Sequence, residues 1–356
     1  MSLGRSDHII LKILAAEICI IGFLHILMLN PLLGYEVSQH ESHPFIVYNA
    51  TEQDVPNLPP KEEKHVVPNL PPKEEKHVMI HEEKEGAVLI LTPLKDASEH
   101  LSKYFDRLEQ FGYSKEMTSL GFLVGSSSDD TYQKLLSILE ERDLRQHYRR
   151  ITVVEKPEMI NNLSGEERHG RFQQLERRKN IALDRNYLLS VALQDEKHVF
   201  WLDSDVQLIP SNIIETMIKA DKPIVVANCM FKQSNPGAAP RSYDLNSWAD
   251  TPKSIEKAKS LPNDELLVEG YAGLITHHTQ LQRIRERDGN HDINNVVELN
   301  GVGGTALMVK ANVHRYGINF PAFVIDNAIE TEGLCRIAER NKVKCYGMPN
   351  LEIWHE

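Results

Sequence analysis

The chain has 356 residues, enough for one large domain or two small ones. Lys plus Arg number 40 against 51 Asp plus Glu, a net charge of −11 that leaves no basic surplus for neutralising nucleic-acid phosphates. Apolar content of 41% argues against a disordered chain, and four cysteines with no CxxC pair argue against a structural zinc site.

Residues 9–33 are strongly apolar, densest from Ile18 to Leu29. Arg5 and Lys12 precede that core, and Glu36 and Glu41 follow it. The charge asymmetry predicts a cytoplasmic tail over 1–8, a signal-anchor transmembrane segment over 9–33 and a lumenal remainder. Lys12 can snorkel to the cytoplasmic face, whereas Glu17 inside the span costs about 2.5–3.5 kcal/mol on insertion scales. No small-x-small cleavage site follows the apolar core, so an uncleaved type II anchor is expected rather than a signal peptide. The sequons at Asn49 and Asn162 would both face the lumen. Residues 34–85 read as a stem. The stretch VPNLPPKEEKHV occupies 55–66 and recurs without change at 67–78. Two Pro-Pro pairs, many charges and few apolar residues predict an extended spacer. A Pro-rich docking motif is the other reading.

From 86 onward the pattern predicts a catalytic domain running to 356. Ala87–Leu91 reads as a strand buried on both faces, and Ser98–Phe111 as a helix capped by Ser98. Leu120–Val124 is a second strand, Thr131–Glu141 a helix, Ile151–Val154 a strand and 172–193 a long helix. His198–Leu202 is the next strand, with Asp203-Ser204-Asp205 at its end. A helix from Ser211 and a strand over Ile224–Ala227 follow. Strands alternating with helices predict an α/β fold with a mostly parallel, doubly wound sheet flanked by helices. Ligands bind such sheets at the carboxyl ends of strands, where the acidic motif lies.

Asp203 and Asp205 stand two apart, so an extended backbone puts both carboxylates on one side. They repel each other and call for a hard divalent cation, Mn²⁺ or Mg²⁺, that substrate phosphates would complete. The alternative is a solvated strand-end turn or a helix cap. Arg171, Arg178 and Arg185 recur every seventh position on the preceding helix, a stripe that could hold a diphosphate. For most of these arginines the expected setting is a solvent-facing helix laced by Glu176 and Asp184. Thr92, Pro93 and Asp96 follow the first strand, where a nucleotide would lie; an ordinary strand-to-helix turn is the rival reading. Gly301-Val302-Gly303-Gly304 precedes a strand over Thr305–Val309 and would permit either close approach to a sugar or a tight turn. Glu330-Thr331-Glu332-Gly333 opens a helix ending near Lys342, where a carboxylate such as Glu332 either faces an acceptor or stabilises the first helical turn. Asp244 and Glu269 are further acidic candidates. Spacing alone makes His355 a tail histidine. Cys335 and Cys345, ten apart, can pair only if the fold joins them.

The blocks LERRKNIALDRNYLL, VFWLDSDV, YDLNSW, VEGYA, NGVGGTALMVKA, FPAF, ETEG and IWH together resemble the fungal α-1,6-mannosyltransferase subunits of the Golgi mannan polymerase, glycosyltransferase family 62. The resemblance runs from about Ala87 to the end. It implies a GT-A-type fold, GDP-mannose as donor, Mn²⁺ as ion and retention of the α-configuration. It implies metal ligation by Asp203, Asp205 and His355, which reverses the reading of His355. Asp203, Asp205 and Glu332 become the expected catalytic carboxylates, and Thr92, Pro93, Asp96, Arg178 and Asp203 the expected nucleotide-sugar contacts. It further implies partner subunits in a hetero-oligomer, an α-mannan or N-glycan acceptor, a Golgi membrane location and a C-terminal tail beyond His355. A nucleotide-binding architectural subunit is the competing function. A metal-dependent phosphohydrolase is disfavoured because no further dense Asp/His cluster exists.

Overall fold

The continuous apolar runs become strands covered on both faces. A computed structural model describes residues 83–156, 171–231, 241–269 and 274–355, without the side chains of 171–173. These lie in a unit spanning Glu75–Glu356. The expected anchor and both stem repeats lie outside the described residues. Among the described residues no helix is long and apolar enough to cross a membrane.

The strands are β1 (Lys84–Leu94), β2 (Thr118–Val124), β3 (Arg150–Glu155), β4 (Glu196–Leu202), β5 (Val206–Leu208), β6 (Ile224–Phe231), β7 (Arg241–Ser242), β8 (Trp248–Ala249), β9 (Thr279–Gln280), β10 (Val297–Leu299), β11 (Ala306–Lys310) and β12 (Cys345–His355). The helices are α1 (Ser98–Glu109), α2 (Thr131–Glu141), α3 (Leu144–His147), α4 (Arg171–Ala192), α5 (Ile213–Lys219), α6 (Pro252–Lys259), α7 (Leu281–Asp288), α8 (Ala311–Arg315) and α9 (Glu330–Arg340). β1 begins two residues inside the expected stem.

Side chains alternate across the sheet as strand geometry requires. Val88 and Ile90 join Leu101, Tyr104 and Phe105 of α1 in one apolar layer. Leu89 and Leu91 face the other layer, with Ala182, Leu188 and Ala192 of α4. On α1 the buried Leu101, Tyr104, Phe105 and Leu108 follow helical spacing, and truncating Phe105 to Ala would cost about 3–5 kcal/mol. Ser98 is not its cap. The N-cap is Ala97, and the orphan Ser98 amide donates to Asp129 Oδ2 at 3.0 Å, so the neighbouring loop caps this helix.

The expectation of a mostly parallel sheet is corrected. The order is β10-β12-β6-β11-β4-β1-β2-β3, with β5 on β12 and β7 on β6. Only β4-β1-β2-β3 and β6-β12 pair in parallel. β11 runs antiparallel to both β4 and β6, because the chain leaves β6 at one end and returns at that same end. Ala306 therefore pairs with Leu202, so β11 starts where β4 stops. β12 shifts register between Met348 and Glu352 and reaches His355 opposite Val206 and Phe231. Its first residue, Cys345, is disulfide-bonded to Cys335 of α9. These two late strands carry both the glycine run and His355 to the end of β4.

Candidate active site

The site grows from the last residue of β4. Asp203 donates its amide to Thr305 O at 3.1 Å, which ties the acidic turn to the glycine run ahead of β11. Asp205 Oδ2 lies 2.9 Å from His355 Nε2. The Tyr243 ring stacks on His355 with centroids 3.6 Å apart and planes 11° apart. The structure therefore brings His355 against Asp205 through pairing of β5 with β12. A tail histidine it is not.

Electrostatics make this site short of cations. Burial, opposed by Arg185 and reinforced by Asp205, Glu330 and Asp244, pushes the Asp203 carboxyl up to about 7. Some 35% of its side chain remains reachable. Burial also pushes Asp205 up, yet the hydrogen bond and charge of His355 outweigh it and hold that carboxyl below its ordinary range. Burial raises Asp244 to about 6, against the Asn246 amide that donates to it at 2.9 Å. Asp205 Oδ1 is buried with no hydrogen-bond partner in the structure. An orphaned carboxylate oxygen among repelling carboxylates fits a divalent cation, and an oxygen-rich set with one imidazole suits Mn²⁺. Among the described residues no three His, Cys, Asp or Glu side chains are already gathered as a metal cluster.

Two arginines of α4 face this site rather than solvent, which corrects the expectation of an exposed, acid-laced stripe for them. Both are 5% exposed. Arg185 lies 3.6 Å from Asp203, donates through Nε to Glu330 Oε1 at 3.1 Å, and keeps Nη1 buried without a partner. Arg178 donates to Glu332 Oε2 at 2.7 Å and to Asn246 Oδ1 at 2.8 Å. Trp248 Nε1 takes the other Glu332 oxygen at 2.7 Å. Glu332 is thus fully engaged and 1% exposed. The expectation that it faces an acceptor is corrected: it holds Arg178 and Trp248 in place. Glu330 sits at φ 56°, left-handed backbone that costs a non-glycine residue roughly 1–3 kcal/mol.

The glycine run serves these side chains. A Cβ on Gly303 would lie 1.2 Å from Asp244 Oδ2, and one on Gly304 would lie 2.3 Å from Arg185 Nη2. The glycines let a buried carboxylate and a buried guanidinium lie directly on the backbone, closer than any side chain permits.

The expected nucleotide contacts divide. β1 continues through Leu94, so Thr92 and Pro93 lie inside the strand, not after it. Thr92 is fully buried and its hydroxyl bonds Tyr104 OH at 2.5 Å. Pro93 pairs only with Leu123 of β2, beyond the end of the β4 pairing, where a missing N–H costs no ladder bond. Thr92 is thus engaged within the core, whereas Pro93 is half-buried near the strand end; the apolar period ended at Leu91 although the strand did not. Asp96 does lie on the surface, accepting from the Ser128 amide at 2.6 Å and hydroxyl at 2.9 Å. Glu269 accepts from the Thr276 amide at 3.0 Å, away from the acidic pair. Sequence reasoning put Arg185 on a stripe that could hold a diphosphate without tying it to Asp203, and it left Tyr243 out of the site. The seven-residue step from Arg178 was the one available signal for Arg185, while the Tyr243 contact depends on β12.

The fold and site thus define a mixed α/β protein in which strand β4 ends in an acidic centre backed by buried arginines. Residues 70–324 match the family described as Anp1, and the chain belongs to that family. It is 36% identical over 276 residues to the Mannan polymerase II complex anp1 subunit of Schizosaccharomyces pombe, covering 75% of this chain and 63% of that protein. It is 37% identical over 274 residues to the Mannan polymerase II complex ANP1 subunit of Saccharomyces cerevisiae, covering 75% and 54%. To the Mannan polymerase complex subunit MNN9 of Candida albicans it is 35% identical over 283 residues, covering 76% and 75%. The chain therefore spans less than two thirds of the first two relatives. Among solved structures, the mannosyltransferase PcManGT from Pyrobaculum calidifontis in complex with GDP-Man and Mn²⁺ aligns at 11% identity and TM-score 0.40, covering 75% of this chain and 56% of that one.

Proposed function

We propose that this protein is a retaining, GT-A-type α-1,6-mannosyltransferase that moves mannose from GDP-mannose to an α-mannan acceptor. It would extend the outer chain of N-linked glycans as one subunit of a hetero-oligomer, anchored in the Golgi membrane with its catalytic domain lumenal. The reading rests on one observation above others: Asp205 bonds His355 through one oxygen and leaves the other buried and unpartnered beside Asp203. Relatives named as mannan polymerase subunits support the acceptor class.

In this reading Asp203, Asp205 and His355 hold Mn²⁺, which supplies neutralising charge for the departing diphosphate. Arg185, pinned by Glu330, adds fixed positive charge beside Asp203. Arg178 acts at one remove, held by Glu332 and Asn246. The loop that Asp96 ties to Ser128 borders the place for the nucleoside. The acceptor hydroxyl forms its bond to the anomeric carbon on the face from which the diphosphate leaves, and its proton passes to the departing phosphate oxygen. The test is transfer by the full chain in detergent, alone and with partner subunits, using GDP-mannose, Mn²⁺ and a mannobiose acceptor. Mannose transfer abolished by Asp205→Ala supports the reading. A complex active without regard to Asp205→Ala makes this chain an architectural subunit instead.

A further inference from the structure

The segment between β6 and β11 lines a cavity of about 560 Å³ that shares no residue with the group around Asp203. Lys253, Arg283, Arg287, His277, His278 and Glu269 contribute to its wall. Three permanent cations thus face one carboxylate, in a chain whose net charge is −11. Among the described residues Lys253, Arg283 and Arg287 make no hydrogen bond or ion pair. Glu269, whose Oε2 accepts from the amide and hydroxyl of Thr276, offsets one of the three charges and leaves two. Here the repulsion is left standing around a concavity of small-molecule size.

A second observation is independent of the charge. The His278 side chain is only 3% exposed, its Nε2 lies 3.4 Å from Asp250, and its Nδ1 is buried without a partner. A buried polar nitrogen on a cavity wall is costly unless a ligand or water meets it. We propose that this cavity binds a small phosphate-bearing anion at a site separate from the donor site. The anion's oxygens take the Lys253, Arg283 and Arg287 charges, and a hydroxyl of the same molecule donates to His278 Nδ1. His278 stacks on Trp248 at 3.6 Å, and Trp248 donates to Glu332, the partner of Arg178. Occupancy is therefore reported by tryptophan fluorescence. The inference stands without the donor-site reading.

The test titrates inorganic pyrophosphate and, separately, glucose 6-phosphate into the full chain in detergent with EDTA present, following heat and tryptophan emission. Sulfate at equal ionic strength is the control. Saturable binding is expected that Asp205→Asn leaves unchanged and that Arg283→Gln/Arg287→Gln weakens about tenfold or more, with an unaltered melting curve. A response to one probe only tells a diphosphate site from a phosphomonoester site. If the double variant melts early, Lys253→Gln, on an exposed side chain, must weaken binding by itself. The proposal is overturned by absence of saturation, by equal displacement with sulfate, by binding lost in Asp205→Asn, or by binding indifferent to the arginine and lysine changes.

Discussion

Two acidic pairs in this chain share the same spacing and meet opposite fates. Asp203 and Asp205 leave a strand end with 35% and 36% of their side chains reachable and too few cations to match. Glu330 and Glu332 open α9 with 8% and 2% reachable, and each has an arginine of α4. Spacing alone cannot separate them. Supply of counter-charge does: each carboxylate of the helix pair has a close arginine, whereas Asp203 has Arg185 only at 3.6 Å and Asp205 keeps one oxygen buried without a partner.

The largest effect that would break this contrast is on transfer. Asp205→Ala is expected to lower mannose transfer by about 10²–10³-fold or more while leaving the melting temperature within a degree or two of wild type. Glu332→Ala should do the reverse in kind. It removes the carboxylate partner of the buried Arg178 guanidinium and the acceptor of Trp248 Nε1, so unfolding in denaturant should show a loss of about 3–5 kcal/mol. A Glu332→Ala protein of full stability would dissolve the distinction between the pairs.

Acid stability sharpens the comparison by showing where activity can be measured. Burial lowers His314 to about 4 from its ordinary 6.5, and Trp201 Nε1 donates to its Nε2 at 3.3 Å. A folded value below the unfolded one means the unfolded chain takes the proton first. The contribution of neutral His314 is therefore complete above pH 6.5 and falls as pH drops toward 4, by about 3 kcal/mol in all. Burial likewise lowers His198 to about 4, so the two act in the same window. Chemical denaturation at pH 7.5 and 5 should show this loss, and His314→Gln should flatten it. Loss of transfer above pH 6.5 then belongs to the site rather than to unfolding. The smallest expected effect comes from the disulfide: Cys335→Ser should cost about 2–3 kcal/mol under oxidising conditions and almost nothing under reducing ones.

Much of the first half of the sheet was legible because each strand there is a short apolar run followed by an amphipathic helix. β2, α1, α2, β3 and β4 fall within about two residues of where pattern puts them. The second half was not, because direction and partner are set at long range. Nothing in Thr305–Val309 says that the strand enters between β4 and β6 backwards. β12 was missed: it contains Gly347 and Pro349 and breaks its alternation at the register shift, so no period survives. The site followed the same division. The acidic pair was readable from the strand before it, and His355 only through family resemblance. The Arg178–Glu332 bond joins residues 154 apart, which no local pattern encodes. Thr92 misled because a buried threonine inside a strand resembles a turn residue when apolarity stops early.

The most direct measurement is manganese binding. Loss of the free Mn²⁺ electron paramagnetic resonance signal, on titration into the full chain with GDP, should report one site per chain. Asp205→Asn should weaken that site by two orders of magnitude or more, and His355→Ala by about 10–100-fold. The fold-supporting Cys335→Ser should leave it intact. Manganese bound with unchanged affinity in Asp205→Asn would contradict the assignment of Asp203, Asp205 and His355 as the cation-seeking centre.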